Sequence, residues 1–200
     1  MSYTLMPGDK APNFEGLKGT DGKLYGLKEL DSDLFKVLFF TCNHCPYVTG
    51  SDELTRNIAE KFKDKVEFIA INSNSENTYE EDSYENMVLR MKEYDFPWLY
   101  LHDKIQTTAS DYGALKTPHF FLFDNQWQLL YTGRNTDNPR DVSNRTTNDL
   151  EEAITQATES SVTDLRQSIP ETLSQLGGDL ERCIAEGFFH RSEENYRISQ

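Results

Sequence analysis

The chain has 200 residues and a formal net charge of −14, which suits one enzyme-sized domain and repels both nucleic-acid backbones and anionic lipid head groups. Nucleic acid and membrane surfaces are therefore not expected partners. The first twenty residues contain no apolar signal segment, and the longest apolar run, Val37 to Phe40, is too short to span a bilayer, so we expect a cytoplasmic protein.

The first half of the chain predicts strands that alternate with helices. Lys36 to Phe40 is a short apolar run typical of a central strand buried on both faces. Pro46, followed by apolar residues at helical spacing, predicts a helix from about 46 to 63. Val66 to Asn72 is typical of the next strand, and Asp82 is placed to cap the helix that follows it.

The second half continues the same alternation and ends in a hairpin. Its predicted elements are a strand at Trp98 to Leu101, a helix at Gln106 to Tyr112, strands at His119 to Phe123 and Leu129 to Thr132, a loop at Arg134 to Asn148 and a helix at Asp149 to Ala157. This order indicates an α/β domain with a mixed sheet. We predict a domain over residues 1–158 and a mostly helical C-terminal extension over residues 159–200.

Two cysteines, Cys42 and Cys45, lie where the first predicted strand passes into a helix. The unpaired N–H groups at the start of a helix stabilise a thiolate, so we predict Cys42 as the nucleophile. Cys45, one turn further on, is placed to attack a mixed disulfide formed at Cys42. His44 adds a donor or a positive charge beside the thiolate, which makes the reduced form more stable.

Other interpretations of this Cys-x-x-Cys pair remain open at this point. The two thiols could simply be buried core residues. They could also bind a metal with His44 and with His119 from a distant strand, because thiolate and imidazole together suit copper(I) or zinc. The third cysteine, Cys183, lies in the predicted extension, where it is either a lone thiol or a resolving thiol.

A Thr-Pro pair, Thr117-Pro118, directly precedes the apolar strand that begins at His119. Only about 5 to 6% of X-Pro bonds in folded proteins are cis, so this pair by itself predicts no more than a turn. Combined with a Cys-x-x-Cys at a strand-to-helix junction, however, it occupies the place of the cis-proline loop of the thioredoxin superfamily.

The chain resembles thioredoxin-fold proteins of the AhpC/TSA, or redoxin, type over roughly residues 6 to 157. The segments that carry the resemblance are Pro7 to Phe14, Asp21 to Lys23, Phe40 to Val48, Asp82 to Met87, Phe96-Pro97, Tyr112 to Ala114, Thr117-Pro118, Phe121 to Asp124 and Tyr131 to Arg134. The resemblance implies a thioredoxin-like fold, with a central mixed sheet flanked by helices and an N-terminal β-hairpin. It also implies thiol–disulfide chemistry at the two cysteines and a cis Thr117–Pro118 bond whose backbone pairs with the substrate.

The peroxiredoxin motif Pro-x-x-x-Thr-x-x-Cys does not fit either cysteine. With Cys45 as the peroxide-reducing residue, the Pro and Thr positions hold Leu38 and Cys42. With Cys42 in that role, they hold Phe35 and Phe39. Peroxide is therefore not the substrate that the sequence favours.

Two further positions depart from thioredoxin itself. Thr41 stands where thioredoxin and many relatives have a Trp before the first cysteine, and Lys36 stands where thioredoxin has a buried Asp. The proton-transfer route of thioredoxin therefore does not carry over to this chain.

Together these observations predict a thiol–disulfide oxidoreductase that needs no cofactor. Its expected partners are protein or small-molecule disulfides and an unidentified thiol reductant. The alternatives are a peroxiredoxin-like thiol peroxidase that uses Cys45 and a Cys/His module that binds copper or zinc. The predicted site residues are Cys42, Cys45 and His44 for catalysis, and Thr41, Thr117 and Pro118 for the substrate.

Overall fold

The computed structural model describes residues 4–159. Its strands are β1 (Leu17–Gly19), β2 (Leu24–Tyr25), β3 (Phe35–Thr41), β4 (Val66–Asn72), β5 (Leu99–His102), β6 (His119–Phe123) and β7 (Leu129–Gly133). Its helices are α1 (Pro46–Thr49), α2 (Asp52–Phe62), α3 (Tyr84–Tyr94), α4 (Thr107–Tyr112) and α5 (Asp149–Glu159). Apart from Glu159, the predicted C-terminal extension, with Cys183, lies outside the described residues.

The strands form one mixed sheet in the order β2-β1-β5-β4-β3-β6-β7. Strands β3, β4 and β5 run parallel to one another, whereas β6 pairs antiparallel with β3 and β7 pairs antiparallel with β6. The predicted α/β, thioredoxin-like fold with a central mixed sheet is confirmed. Since β3 lies between a parallel and an antiparallel neighbour, its C-terminal end faces both the end of β4 and the start of β6.

Strand β3 is buried on both faces, as its apolar run predicts. Val37 and Phe39 belong to one core, which α2, α3 and α5 cover, while Leu38 and Phe40 belong to the other, which α4 and the N-terminal segment cover. Successive side chains of a strand point to opposite faces, so a strand between two helical layers must be apolar at every position. The strand therefore provides a rigid support for the residues that follow Thr41.

The predicted N-terminal hairpin is present as β1 and β2. Gly22 has a φ of +85° in the turn between them, a conformation that L side chains rarely adopt. Beyond the prediction, β1 also pairs antiparallel with β5 and so extends the sheet at that edge. This long-range pairing depends on how the chain folds back and has no local sequence signal.

The helix predicted over 46–63 is two helices, α1 and α2, separated by Gly50 and Ser51. A Cβ on Gly50 would lie 2.6 Å from the carbonyl oxygen of Pro139, so the residue permits a close approach of the loop that follows β7. The Ser51 hydroxyl donates a hydrogen bond to the Tyr47 carbonyl and replaces part of the lost helical ladder. The break leaves α1 as a separate single turn directly after the second cysteine.

The loop predicted over Arg134 to Asn148 is present and is ordered by one carboxylate. Asp137 accepts hydrogen bonds from the backbone N–H groups of Thr146 and Thr147, at 2.9 and 3.1 Å. The loop thereby folds against α1, where the Arg140 guanidinium lies over the ring of Tyr47. No described helix is both long enough and apolar enough to cross a membrane.

Candidate active site

One edge of the sheet collects the residues that the sequence singled out. Cys42 directly follows β3, Asn72 ends β4 and Pro118 directly precedes β6. In open α/β sheets, the carboxyl ends of parallel strands are the usual place for a site, because the strands fix the positions of the loops that begin there. Cys42, Cys45, His44 and Thr117 all meet at this edge.

Both cysteines are free thiols and each is only 1% exposed. Cys45 is the N-cap residue of α1: its carbonyl oxygen accepts the backbone N–H groups of Val48 and Thr49, and the N–H groups of Tyr47 and Val48 lower the pKa of its thiol. The thiol of Cys42 also donates a hydrogen bond to this sulfur. The Cys45 thiol in turn faces an acceptor, the Thr117 carbonyl oxygen.

The two cysteines have pKa values shifted in opposite directions. The hydrogen bond from Cys42, with the two N–H groups of α1, lowers the pKa of Cys45 to about 6, although burial opposes the change. Burial raises the pKa of Cys42 well above its ordinary value, and its hydrogen bond to Cys45 and the charge of Asp82 act in the same direction. The sequence predicts the stabilised thiolate at Cys42; in the structure the first helical turn follows Cys45, and the lowered pKa belongs to Cys45.

Thr117 contacts both sulfurs from the loop before β6. Its hydroxyl oxygen lies 3.4 Å from the sulfur of Cys42, and its carbonyl oxygen lies 3.5 Å from the sulfur of Cys45. The Thr117–Pro118 bond is cis, as the resemblance implied, and both residues are buried. The loop therefore closes one side of the dithiol.

Thr41, the third residue predicted for the substrate site, belongs to the sheet. It is the last residue of β3, is 6% exposed and lies in register with Asn72 of β4. It directly precedes Cys42, at the end of the strand that supports the dithiol.

The other side of the dithiol is closed by a buried carboxylate, Asp82, which is 0% exposed. One of its oxygens lies 2.5 Å from Nδ1 of His44, and the other accepts the backbone N–H of Asn43 at 2.6 Å. The amide of Asn72 donates to the same second oxygen at 3.2 Å. A carboxylate in the segment before α3 thus bonds two successive residues of the Cys-x-x-Cys loop.

His44 is fixed by two neighbours. Its ring stacks on the ring of Tyr79, with centroids 3.7 Å apart and planes 11° apart. Partial burial alone would lower the pKa of His44, but the hydrogen bond and the charge of Asp82 outweigh burial and raise it. The imidazole beside the sulfurs therefore favours its charged form.

Asp82 does not have the capping role that the sequence predicts for it. We predicted it as a helix cap, but Ser83 is the N-cap of α3, and its side chain accepts the backbone N–H of Asn86. Asp and Ser are both common N-cap residues, and here they are adjacent, so the sequence offers no means of choosing between them. The one signal in the sequence was that Asp82 precedes Ser83, which is enough to cap α3 without it.

His119 and Lys36 do not reach the dithiol. Nε2 of His119 lies 3.0 Å from the Thr132 hydroxyl on the neighbouring strand, so the predicted set of four metal-binding residues is not brought together. The Lys36 ammonium donates to the Ser32 carbonyl and lies 5.2 Å from the centroid of the Trp127 ring, at the opposite end of β3. Lys36 therefore does not replace the buried Asp of thioredoxin.

The fold and the paired thiols define a thioredoxin-like protein of the class that contains thiol oxidoreductases and peroxidases. Residues 6–154 match the family profile described as Redoxin, and the chain belongs to that family. The comparison with curated proteins gave no match.

Solved structures of several proteins are similar to the chain. An uncharacterized conserved protein from Geobacillus kaustophilus is 38% identical, with a TM-score of 0.63 over 66% of this chain and 70% of that protein. A hypothetical protein from Sinorhizobium meliloti 1021 is 29% identical, with a TM-score of 0.71 over 77% of this chain and 85% of that one. Peroxidoxin BcpB from Mycobacterium tuberculosis is 22% identical, with a TM-score of 0.54 over 64% and 85% of the two chains, and its likeness shows the fold alone.

Proposed function

We propose that the chain is a thiol–disulfide oxidoreductase in which Cys42 and Cys45 cycle between a dithiol and a disulfide. The observation that carries the proposal is the meeting of two free, buried thiols at Thr117, whose hydroxyl oxygen lies 3.4 Å from the sulfur of Cys42 and whose carbonyl oxygen lies 3.5 Å from the sulfur of Cys45. The lowered pKa of Cys45 and the raised pKa of Cys42 support Cys45 as the member that ionises first. A thiolate is the form that attacks disulfides. The first attack therefore belongs to Cys45 rather than to Cys42.

The reaction takes two steps. The Cys45 thiolate attacks one sulfur of a substrate disulfide, which forms a mixed disulfide and releases the other substrate sulfur as a thiolate. Cys42 then loses its proton to solvent and attacks the sulfur of Cys45, which forms the Cys42–Cys45 disulfide and releases the second substrate thiolate. The substrate gains two electrons, and a thiol reductant must return them to the protein.

The remaining predicted residues support this cycle. Thr117 borders both sulfurs and Pro118 follows it, which supports a role for their backbone in pairing with an extended disulfide-containing segment. His44, which favours its charged form, stabilises the thiolate state. A positive charge beside the dithiol makes the disulfide a stronger oxidant, because it stabilises the reduced form of the couple.

The proposal is tested by counting thiols and measuring reductase activity. Mild oxidation of the full chain should remove two thiols, and peptide mapping should find them as a Cys42–Cys45 disulfide. The protein should also accelerate the reduction of insulin disulfides by dithiothreitol, and Cys42→Ser and Cys45→Ser should each abolish this activity. A Cys42–Cys45 disulfide that never forms under oxidation would reject the function.

Thiol peroxidase activity is the second candidate, and the thiolate at Cys45 favours it. In that reaction the Cys45 thiolate attacks a peroxide oxygen, which yields a sulfenic acid and an alcohol or water; Cys42 then attacks the sulfenic sulfur and releases water. The Pro and Thr of the peroxiredoxin motif are replaced by Leu38 and Cys42, so we expect slow peroxide consumption. A rate with hydrogen peroxide far above that of an ordinary thiol, retained in Cys42→Ser, would favour this candidate instead.

A further inference from the structure

Asp82 stands out among the buried charged residues because it binds the Cys-x-x-Cys loop from outside. Its carboxylate receives three donors, the Asn43 backbone N–H, the Asn72 amide and the His44 ring. A carboxylate whose partners are all donors is bonded as an ionised acceptor. The residue therefore places a negative charge within the protein, next to the dithiol.

This charge does not lie equally close to the two sulfurs. One atom each of Asp82, His44 and Cys42 lies within 4.8 Å of the others, so the carboxylate lies close to the first cysteine. Cys45, by contrast, is not part of this group; it caps α1, whose first N–H groups lower the pKa of its thiol. Like charges a few ångströms apart in a poorly solvated site repel strongly, whereas donors and a nearby cation stabilise an anion.

We propose that Asp82 is a positioning residue that decides which sulfur of the dithiol carries the negative charge. Its carboxylate, which lies close to Cys42, repels a negative charge on that sulfur more than one on Cys45. For its functional meaning this inference rests on the proposed dithiol cycle. It extends that cycle by naming the group that keeps the proton on the resolving thiol until the mixed disulfide has formed.

The other titratable groups at this edge do not supply the same asymmetry. Around His44 they are Glu81, Asp82, Cys42, Cys45 and Tyr79, of which Glu81 is exposed to solvent and Tyr79 stacks on the imidazole. Tyr100 faces Asp82 and Cys42: its hydroxyl donates to the side chain of Asn43, and its pKa is raised well above the ordinary value, chiefly by burial. A neutral tyrosine cannot repel a thiolate, so the carboxylate remains the source of the difference.

The test compares how fast each thiol is alkylated in the reduced full-length protein. Brief treatment with iodoacetamide near neutral pH, followed by peptide mass mapping, gives the ratio of Cys45 to Cys42 labelling. Asp82→Asn keeps the size of the side chain but removes its charge. We expect this variant to lower the ratio by about tenfold, because Cys42 becomes easier to ionise once the carboxylate charge close to it is removed.

Asp103→Asn is the matched control, since Asp103 is also 0% exposed and accepts bonds from Ser73 and the Ala109 N–H at a neighbouring strand end. It should cost stability without changing the labelling ratio. The NMR titration of His44 supplies a second readout: its midpoint should lie above the ordinary value of about 6.5 and fall in Asp82→Asn. Rescue of both readouts is expected in Asp82→Glu.

An unchanged labelling ratio in a natively folded Asp82→Asn protein would overturn the inference. So would a wild-type His44 that titrates at or below the ordinary histidine value, a measurement that needs no variant and decides the matter if Asp82→Asn does not fold. Neither readout requires turnover. A protein that shows both shifts but forms no Cys42–Cys45 disulfide would keep the inference and reject the proposed function.

Discussion

The hydroxyl oxygen of Thr117 lies 3.4 Å from the sulfur of Cys42, although 75 positions separate the two residues in the chain. The contact exists because β6 returns antiparallel beside β3, so that the residues before β6 face the residues after β3. It joins the less acidic thiol of the pair to a group that can donate a hydrogen bond. The Thr117 hydroxyl is thus the one described contact that lowers the otherwise raised pKa of Cys42.

Thr117→Val should slow the resolving step, because it removes this hydroxyl while it keeps the shape of the side chain. A neutral hydrogen bond contributes about 0.5 to 1.5 kcal/mol, which corresponds to a slowing of about two- to tenfold. The lifetime of the mixed disulfide with a small thiol, followed by acid quenching and mass spectrometry, measures it. Thr132→Val, which removes a hydroxyl that faces His119 instead, is the control, and equal lifetimes in all three proteins would contradict the prediction.

Alkylation of the wild-type protein should follow the titration of Cys45. Its pKa of about 6 means that the labelling rate of Cys45 should be half-maximal near that pH and level above it, while Cys42 reacts slowly throughout the neutral range. Mass mapping of each cysteine from pH 5 to pH 9 gives both curves. Faster labelling of Cys42 at neutral pH would restore the assignment that the sequence alone predicts.

His44→Pro should make the couple more reducing. Thioredoxin lies near about −270 mV and protein disulfide isomerase near about −180 mV, and a thiolate-stabilising imidazole moves a couple toward the second value. We expect the wild-type potential to lie above that of thioredoxin. Removal of His44 should lower the potential, because the reduced form loses about 1 to 3 kcal/mol of stabilisation. Equilibration with glutathione buffers measures the potentials.

Lys36→Met is the matched control for that measurement. The ammonium of Lys36 bonds to the Ser32 carbonyl at the end of β3 remote from Cys42, so its removal should leave the potential unchanged. A wild-type potential at or below that of thioredoxin, with no effect of His44→Pro, would remove His44 from the mechanism.

His119 should make the protein less stable in acid. Burial and the charge of Lys116 lower its pKa to about 3, from 6.5 in the unfolded chain. Between these values the unfolded chain binds a proton that the folded protein excludes, so the contribution of His119 to stability is present above pH 6.5 and is lost as the pH falls toward 3. The free energy of unfolding should fall by about 1.4 kcal/mol per pH unit within this window.

Urea denaturation of the wild type and of His119→Gln across that range checks the effect. The variant should be less stable at neutral pH but should show a flatter dependence on pH, because glutamine binds no proton. Parallel curves for the two proteins would show that His119 is not the titrating group.

The sequence by itself determined the order of strands and helices, the position of Cys42 at a strand end and the position of Thr117-Pro118 directly before β6. These features can be predicted from local patterns, because the spacing of apolar residues and the preferences of turn residues depend only on a few neighbouring positions. The uninterrupted apolar run of β3 likewise required burial on both faces. The resemblance to redoxins then followed from short motifs at these positions.

Only the tertiary structure decided which groups surround each sulfur and which carboxylate lies beside the dithiol. The first depended on the return of β6 beside β3, which brings Thr117 to both sulfurs. The second depended on the segment between β4 and α3, which folds back over the end of β3 and brings Asp82 to His44 across 38 positions of chain. Contacts at such separations arise from the packing of whole elements, so no pattern confined to neighbouring residues can specify them.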